Sequence, residues 1–138
     1  MDSLHASLVQ ICTAHGINIM YLFGSRGLEF YHYLHGAGSP PPPGKSDLDV
    51  GVLPASPLTV QQKVELALQL EDLFNVPRID LVVLTEANPF LAANIIRGER
   101  AYAQSEYEAD EYDLYVLRRA GDLAFHERQR MDMILKGV

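Results

Sequence analysis

The chain has 138 residues, a formal net charge of −7 and one cysteine, Cys12, a size that suits a single domain with its own core and a cysteine count that excludes an internal disulfide or a cysteine zinc cage. Its 48% hydrophobic and 21% charged content is that of a soluble globular protein, and no apolar run reaches the ~20 residues that span a bilayer, so no membrane partner is expected. The acid excess argues against nucleic acid as a direct ligand, because phosphate binding calls for a basic face.

The N-terminal MDSLHASLVQ lacks the basic start and long apolar stretch of a signal peptide, so a cytoplasmic address is expected. Leu4, Leu8, Ile11 and Cys12 recur at helical spacing and Gly16 follows as a stop, which predicts an amphipathic helix over 3–15. Ile17 to Phe23 is an apolar run with β-branched and aromatic residues, a strand. It ends at the turn signal Gly24-Ser25-Arg26-Gly27. Residues 28–45 are expected to form a long Pro/Gly-rich inserted loop, with Pro40 to Pro43 as a stiff polyproline stretch. It carries Tyr31, His32, Tyr33 and His35. The His32-x-x-His35 spacing is compatible with a metal, but a solvated loop explains it more simply.

Leu48 to Leu53 is the second strand, closed by Pro54. Thr59 and Gln62 form a capping box, and the helix after it is expected to bury Val60, Val64, Ala67 and Phe74, with Leu70 and Leu73 widening the stripe that Glu71 weakens. Ile79 to Leu84 is the third strand. Asn88-Pro89 opens a short helix that Gly98 ends. Glu99 to Gln104 reads as a fourth strand, and a long helix runs from about 106 to 135 with acids in its first turns. Arg118, Arg119, Arg128, Arg130 and Lys136 lie in or just past that helix, interleaved with acids, as a solvated face. Tyr107, Tyr112 and Tyr115 on it read as packing residues. This order predicts an α+β domain spanning 1–138, with one small mixed sheet flanked by helices.

The chemistry-bearing segment is Ser46-Asp47-Leu48-Asp49-Val50. Side chains alternate along a strand, so Asp47 and Asp49 share one face and Leu48 and Val50 enter the core. Two carboxylates side by side repel unless a cation or hydrogen-bond donors compensate them, and hard oxygen ligands suit Mg²⁺. Taken alone, Asp-x-Asp is explained more simply by a turn acid and a strand-edge acid, both solvated. Asp80, one residue inside the apolar Ile79–Leu84 strand, repeats the pattern. If the two strands are neighbours, Asp47, Asp49 and Asp80 converge in a two-metal arrangement for phosphoryl or nucleotidyl transfer, with Asp80 able to take the proton of an attacking hydroxyl. Gly24-Ser25 would let a backbone pass close to a phosphate.

Leu22-Phe23-Gly24-Ser25-Arg26, Ser46-Asp47-Leu48-Asp49-Val50 and Ile79-Asp80-Leu81-Val82 together resemble the minimal nucleotidyltransferases of bacteria and archaea, within the DNA-polymerase-beta-like superfamily. Ile96-Arg97-Gly98-Glu99 is similar too. The resemblance implies the polymerase-beta-like fold and AMP transfer from ATP to a tyrosine of a HEPN-domain ribonuclease toxin, whose antitoxin the chain would be, in a hetero-oligomer. A homodimer is compatible with it. It also implies that Gly24, Ser25 and Ser46 bind the nucleotide, that Arg26 touches a phosphate, that Asp47 and Asp49 bind two Mg²⁺ ions and that Asp80 binds the catalytic one. Two alternatives stand beside it: transfer to a small molecule, and a non-catalytic antitoxin that masks its partner. The chain departs from the family in the length of 26–46, which is clearly shorter in most members, and in Gly27, where alanine is common.

Overall fold

The computed structural model describes residues 3–37, 40–42 and 47–137. Its elements in chain order are α1 (Ser3–Ala14), β1 (Ile17–Phe23), α2 (Gly27–Leu34), β2 (Leu48–Pro54), α3 (Val60–Phe74), β3 (Ile79–Val83), a single 3-10 turn (Leu84–Glu86), α4 (Pro89–Ile96), β4 (Glu99–Ala103) and α5 (Glu106–Leu135). The strands form one mixed sheet in the order β3-β2-β1-β4. β1 is antiparallel to both of its neighbours, while β2 and β3 run parallel, joined across α3. A central strand covered on both sides must be apolar on both faces. Accordingly, Met20 and Leu22 enter a core shared with α1, α2 and α3, whereas Ile19 and Tyr21 enter a second core under α4 and α5.

Residues 27–34 correct the expected loop: they are α2, not irregular chain. Gly27, Phe30 and Leu34 bury on one side of it, an apolar stripe at helical spacing that the glycines and prolines farther along obscure. Burying Phe30 and Leu34 is worth roughly 1.5–3 kcal/mol each, so the insertion opens with an element of the main core. The stretch Pro40–Pro42 that follows has no regular structure, while Pro43 and Ser46 lie outside the described residues.

A second correction concerns α3. Its capping box at Thr59 and Gln62 is present, but Val60 and Val64 are 76% and 51% exposed. The helix buries Phe74 and Leu70, as expected, and Leu66 in place of the two valines, which puts the larger residues inward. Glu71 sits beside that face, and its Oε2 accepts the Ile79 N–H at 3.0 Å, tying the end of α3 to the start of β3.

α4 begins as expected, with Asn88 accepting the Leu91 N–H and Pro89 in the first turn. It lies close on the sheet because Gly51 gives it room: a Cβ there would overlap Ile95. α5 packs on this layer through Ala109, Val116 and Ala120, and among the described residues none of it beyond Ala120 is buried. No helix of the described residues is long and apolar enough to cross a membrane.

Candidate active site

The acids meet because of strand register. Asp49 is the second residue of β2 and Asp80 the second of β3, and the parallel ladder places them directly opposite each other. Partners in register share a face, and neighbouring strands lie about 4.8 Å apart. On the opposite face Leu48 and Val50 are wholly buried, as the alternation requires. Asp49 is half-buried and in hydrogen-bond contact with the exposed Asp80. Its carboxyl is held above the usual carboxylate range, first by burial, then by the charge of Asp80, with the charge of Asp47 adding to both. Asp47, just ahead of β2, faces the exposed Arg78 at 3.4 Å.

The bend after β1 closes on these acids from the other side. Phe23, the last residue of β1, pairs with Asp49. Gly24 follows with φ at +75°, and a Cβ on it would collide with Asp49 Oδ2. Glycine is required here twice over, for a left-handed backbone and for the close approach. Gly24 and Ser25 are both exposed, so the bend and the acid pair open to solvent together.

Arg26 has other partners. It is 8% exposed, its Nε donates to Glu29 at 2.7 Å, its Nη2 donates to the Pro42 carbonyl at 2.7 Å, and its guanidinium stacks over Phe30. It pins the proline stretch to the start of α2. Ser46 lies outside the described residues. His32 and His35 stand on α2, where the His35 ring packs against Tyr31 and His5.

Among the described residues no group of three or more acids, histidines or cysteines is assembled as a finished cation cage. The donor set nevertheless fits Mg²⁺, which takes one or two carboxylates and completes its shell with phosphate oxygens and water. Asp49 and Asp80 are two such oxygen donors in mutual contact, and the like charge that raises the Asp49 carboxyl is what a divalent ion would relieve.

Sequence reading missed a second acid cluster on the α4–α5 side of the sheet. Arg100 of β4 meets Glu106 at 2.7 Å, Asp110 at 3.0 Å and Asp113 at 2.8 Å, all from α5. The buried Tyr21 hydroxyl donates to the same Asp113. Burial and that bond raise the Tyr21 hydroxyl well above its usual value. The acids at 106, 110 and 113 lie on one helix face, and that spacing was the available signal.

A four-stranded mixed sheet with helices on both faces, an Asp-x-Asp strand and a third acid in register beside it define a polymerase-beta-like nucleotidyltransferase fold. The family model described as "Polymerase beta, Nucleotidyltransferase" matches residues 7–107, and the chain belongs to that family. No curated protein matches it. Similar solved structures include the toxin–antitoxin MntA–HepT, at 17% identity and a TM-score of 0.66 over 98% of this chain and 99% of that one. Another is a toxin–antitoxin with AMP-PNP, at 19% identity and a TM-score of 0.66 over 95% and 98%. A third is a tri-AMPylated Shewanella oneidensis HEPN toxin in complex with MNT antitoxin, at 18% identity and a TM-score of 0.65 over 96% of both chains. At these identities the likeness is one of fold.

Proposed function

We propose that the chain is a Mg²⁺-dependent nucleotidyltransferase that moves AMP from ATP to a tyrosine hydroxyl of a HEPN-domain toxin and so acts as its antitoxin in the cytoplasm, as a single domain. The observation that carries this reading is the contact between Asp49 and Asp80 beneath the Gly24–Ser25 bend. The family supports nucleotidyl transfer. The fold it shares with an antitoxin seen beside a tri-AMPylated HEPN toxin supports the acceptor.

Each residue has a defined task in this reading. Gly24 and Ser25 cradle the triphosphate through backbone N–H groups and the hydroxyl. Asp47 and Asp49 would hold both ions, and Asp80 the catalytic one. Held by these carboxylates, Mg²⁺ would supply the positive charge that offsets the phosphates and the leaving pyrophosphate. The acceptor oxygen forms a bond to the α-phosphorus, the bond from that phosphorus to the bridging oxygen breaks, and pyrophosphate leaves with that electron pair. Asp80, the exposed member of the pair, takes the hydroxyl proton.

Incubation of the chain with Mg²⁺, ATP labelled in the adenylate and its HEPN partner is expected to label the partner on tyrosine. Asp47→Asn with Asp49→Asn is expected to abolish labelling and relief from the toxin together. Relief that survives this double substitution would mean masking by binding, and label on a small acceptor would mean small-molecule transfer.

A further inference from the structure

Gly98 lets the corner between α4 and β4 come up against the end of β1. Glu99 pairs with Leu22 in the β1–β4 ladder. One residue earlier, a Cβ on Gly98 would overlap the Leu22 carbonyl and the Phe23 Cβ. Gly98 also donates its N–H to the Ile95 carbonyl at 3.0 Å, so the corner is tied to α4 as well as to β1. Arg97 is the residue inside that corner, the C-cap of α4. Phe23, against which the corner packs, pairs with Asp49 and runs straight into the Gly24–Ser25 bend. Arg97 therefore stands on the rim of the candidate active site, beside the bend, and it is exposed.

Every other described cation outside α5 already faces an acid. Lys63 meets Glu86, Arg78 meets Asp47, and Arg100 meets three acids of α5. Arg26, which follows the bend in the chain, is buried among Glu29, the Pro42 carbonyl and the Phe30 ring, and reaching a phosphate would mean giving them up. Arg97 makes no ion pair among the described residues. The site beside it is rich in negative charge. A triphosphate laid on Asp47, Asp49 and Asp80 brings more of it than two divalent ions return. With the α-phosphorus at the acid pair and the outer phosphates on the bend, the charge left over lies beside Arg97.

We propose that the Arg97 guanidinium binds the β- and γ-phosphates of ATP and keeps hold of the pyrophosphate as it leaves. A guanidinium presents a planar fork that matches two phosphate oxygens at once. The inference rests on the nucleotidyl-transfer reading and deepens it: Arg97 supplies the phosphate contact that the family resemblance implies for Arg26.

Equilibrium binding to the full chain in Mg²⁺ tests this with two ligands. One is α,β-methylene-ATP, which cannot be cleaved at the bond that transfer breaks, and the other is AMP. Arg97→Ala is expected to weaken the ATP analogue by more than about tenfold and to leave AMP within about twofold. Arg97→Lys keeps the charge without the fork and is expected to fall between the native chain and Arg97→Ala. Arg118→Ala, which removes an exposed charge on α5, is expected to bind both ligands as the native chain does. Melting of the ligand-free Arg97→Ala chain is expected to match the native one, because the side chain is exposed. The proposal is overturned if Arg97→Ala binds the ATP analogue as tightly as the native chain, or if it loses the analogue and AMP in equal measure. In either case the nucleotidyl-transfer reading stands. A native chain that binds neither nucleotide would instead sink that reading, and this proposal with it.

Discussion

Two clusters of acids sit on the same side of the sheet, and they differ in what lies among them. Around Arg100 three acids of α5 surround a guanidinium that is 21% exposed. Burial alone would lower the pKa of that group, but the hydrogen bonds it donates to Glu106, Asp113 and Asp110 outweigh it and hold the charge firmly. Around Asp49 the acids face one another, and Arg78 reaches only Asp47, in a pair exposed on both sides. The first cluster carries its own cation and fastens α5 to β4. The second is short of positive charge, which is the condition under which a fold recruits an ion from outside. Clustering of acids is therefore an ambiguous signal, and the presence of a resident cation resolves it.

The comparison is broken most severely at Asp49. Asp49→Asn is expected to lower AMP transfer by more than about 100-fold, beyond the 10–100-fold typical of groups that merely support a metal ligand. In chelator the same substitution is expected to stabilise the fold. Because the Asp49 carboxyl is raised in the folded state, its favourable contribution is complete at acid pH and is lost as pH rises through the folded value. The advantage of the asparagine variant in thermal melts should thus be absent at low pH and grow toward neutrality. Addition of Mg²⁺ should reverse the order of the two proteins.

At the other cluster, Arg100→Met leaves Asp113 with the Tyr21 hydroxyl and no cation. It is expected to cost about 2–3 kcal/mol in denaturant titrations, below the 3–5 kcal/mol of a fully buried pair because these groups keep some solvent. Gly24→Ala forces a left-handed backbone on a side chain, at about 1–2 kcal/mol. It also drives a methyl into Asp49, so transfer should fall far more than stability does. Arg78→Ala removes a long, exposed pair and should change stability by less than about 0.5 kcal/mol. A larger loss there would mean that Arg78 compensates the acids after all, and the contrast between the clusters would weaken.

Much of this was legible in the chain because it is local. The apolar runs of β1, β2 and β3, the Thr59 and Asn88 caps and the alternation of Asp47, Leu48, Asp49 and Val50 each depend on neighbours within a few residues. The pairing of Asp49 with Asp80 was conditional on strand order, which no local pattern fixes. α2 was obscured because its eight residues lie between a glycine turn and a proline run, although Phe30 and Leu34 stand one turn apart. On α3 the second half of the expected stripe, Leu70 and Phe74, is buried, but Leu66 takes the place of Val60 and Val64 in the first half, a choice that periodicity alone does not resolve. The reach of Arg26 to Pro42 and of Arg100 to α5 needed the fold itself, since each joins two separate segments, whereas Arg26 and Glu29 stand three residues apart in the chain.

The distance from the glycine bend to the acid pair is set by hydrogen bonding between β1 and β2, from Met20 opposite Val52 to Phe23 opposite Asp49. The chain that travels from one strand to the other has no part in that measurement. Its length can therefore change while the register that sets the glycine bend against Asp49 stays in place. Such tolerance makes the stretch between α2 and Pro42 a natural place to graft a reporter or an affinity handle, provided that the Arg26 anchor on Pro42 and the two core side chains of α2 are kept.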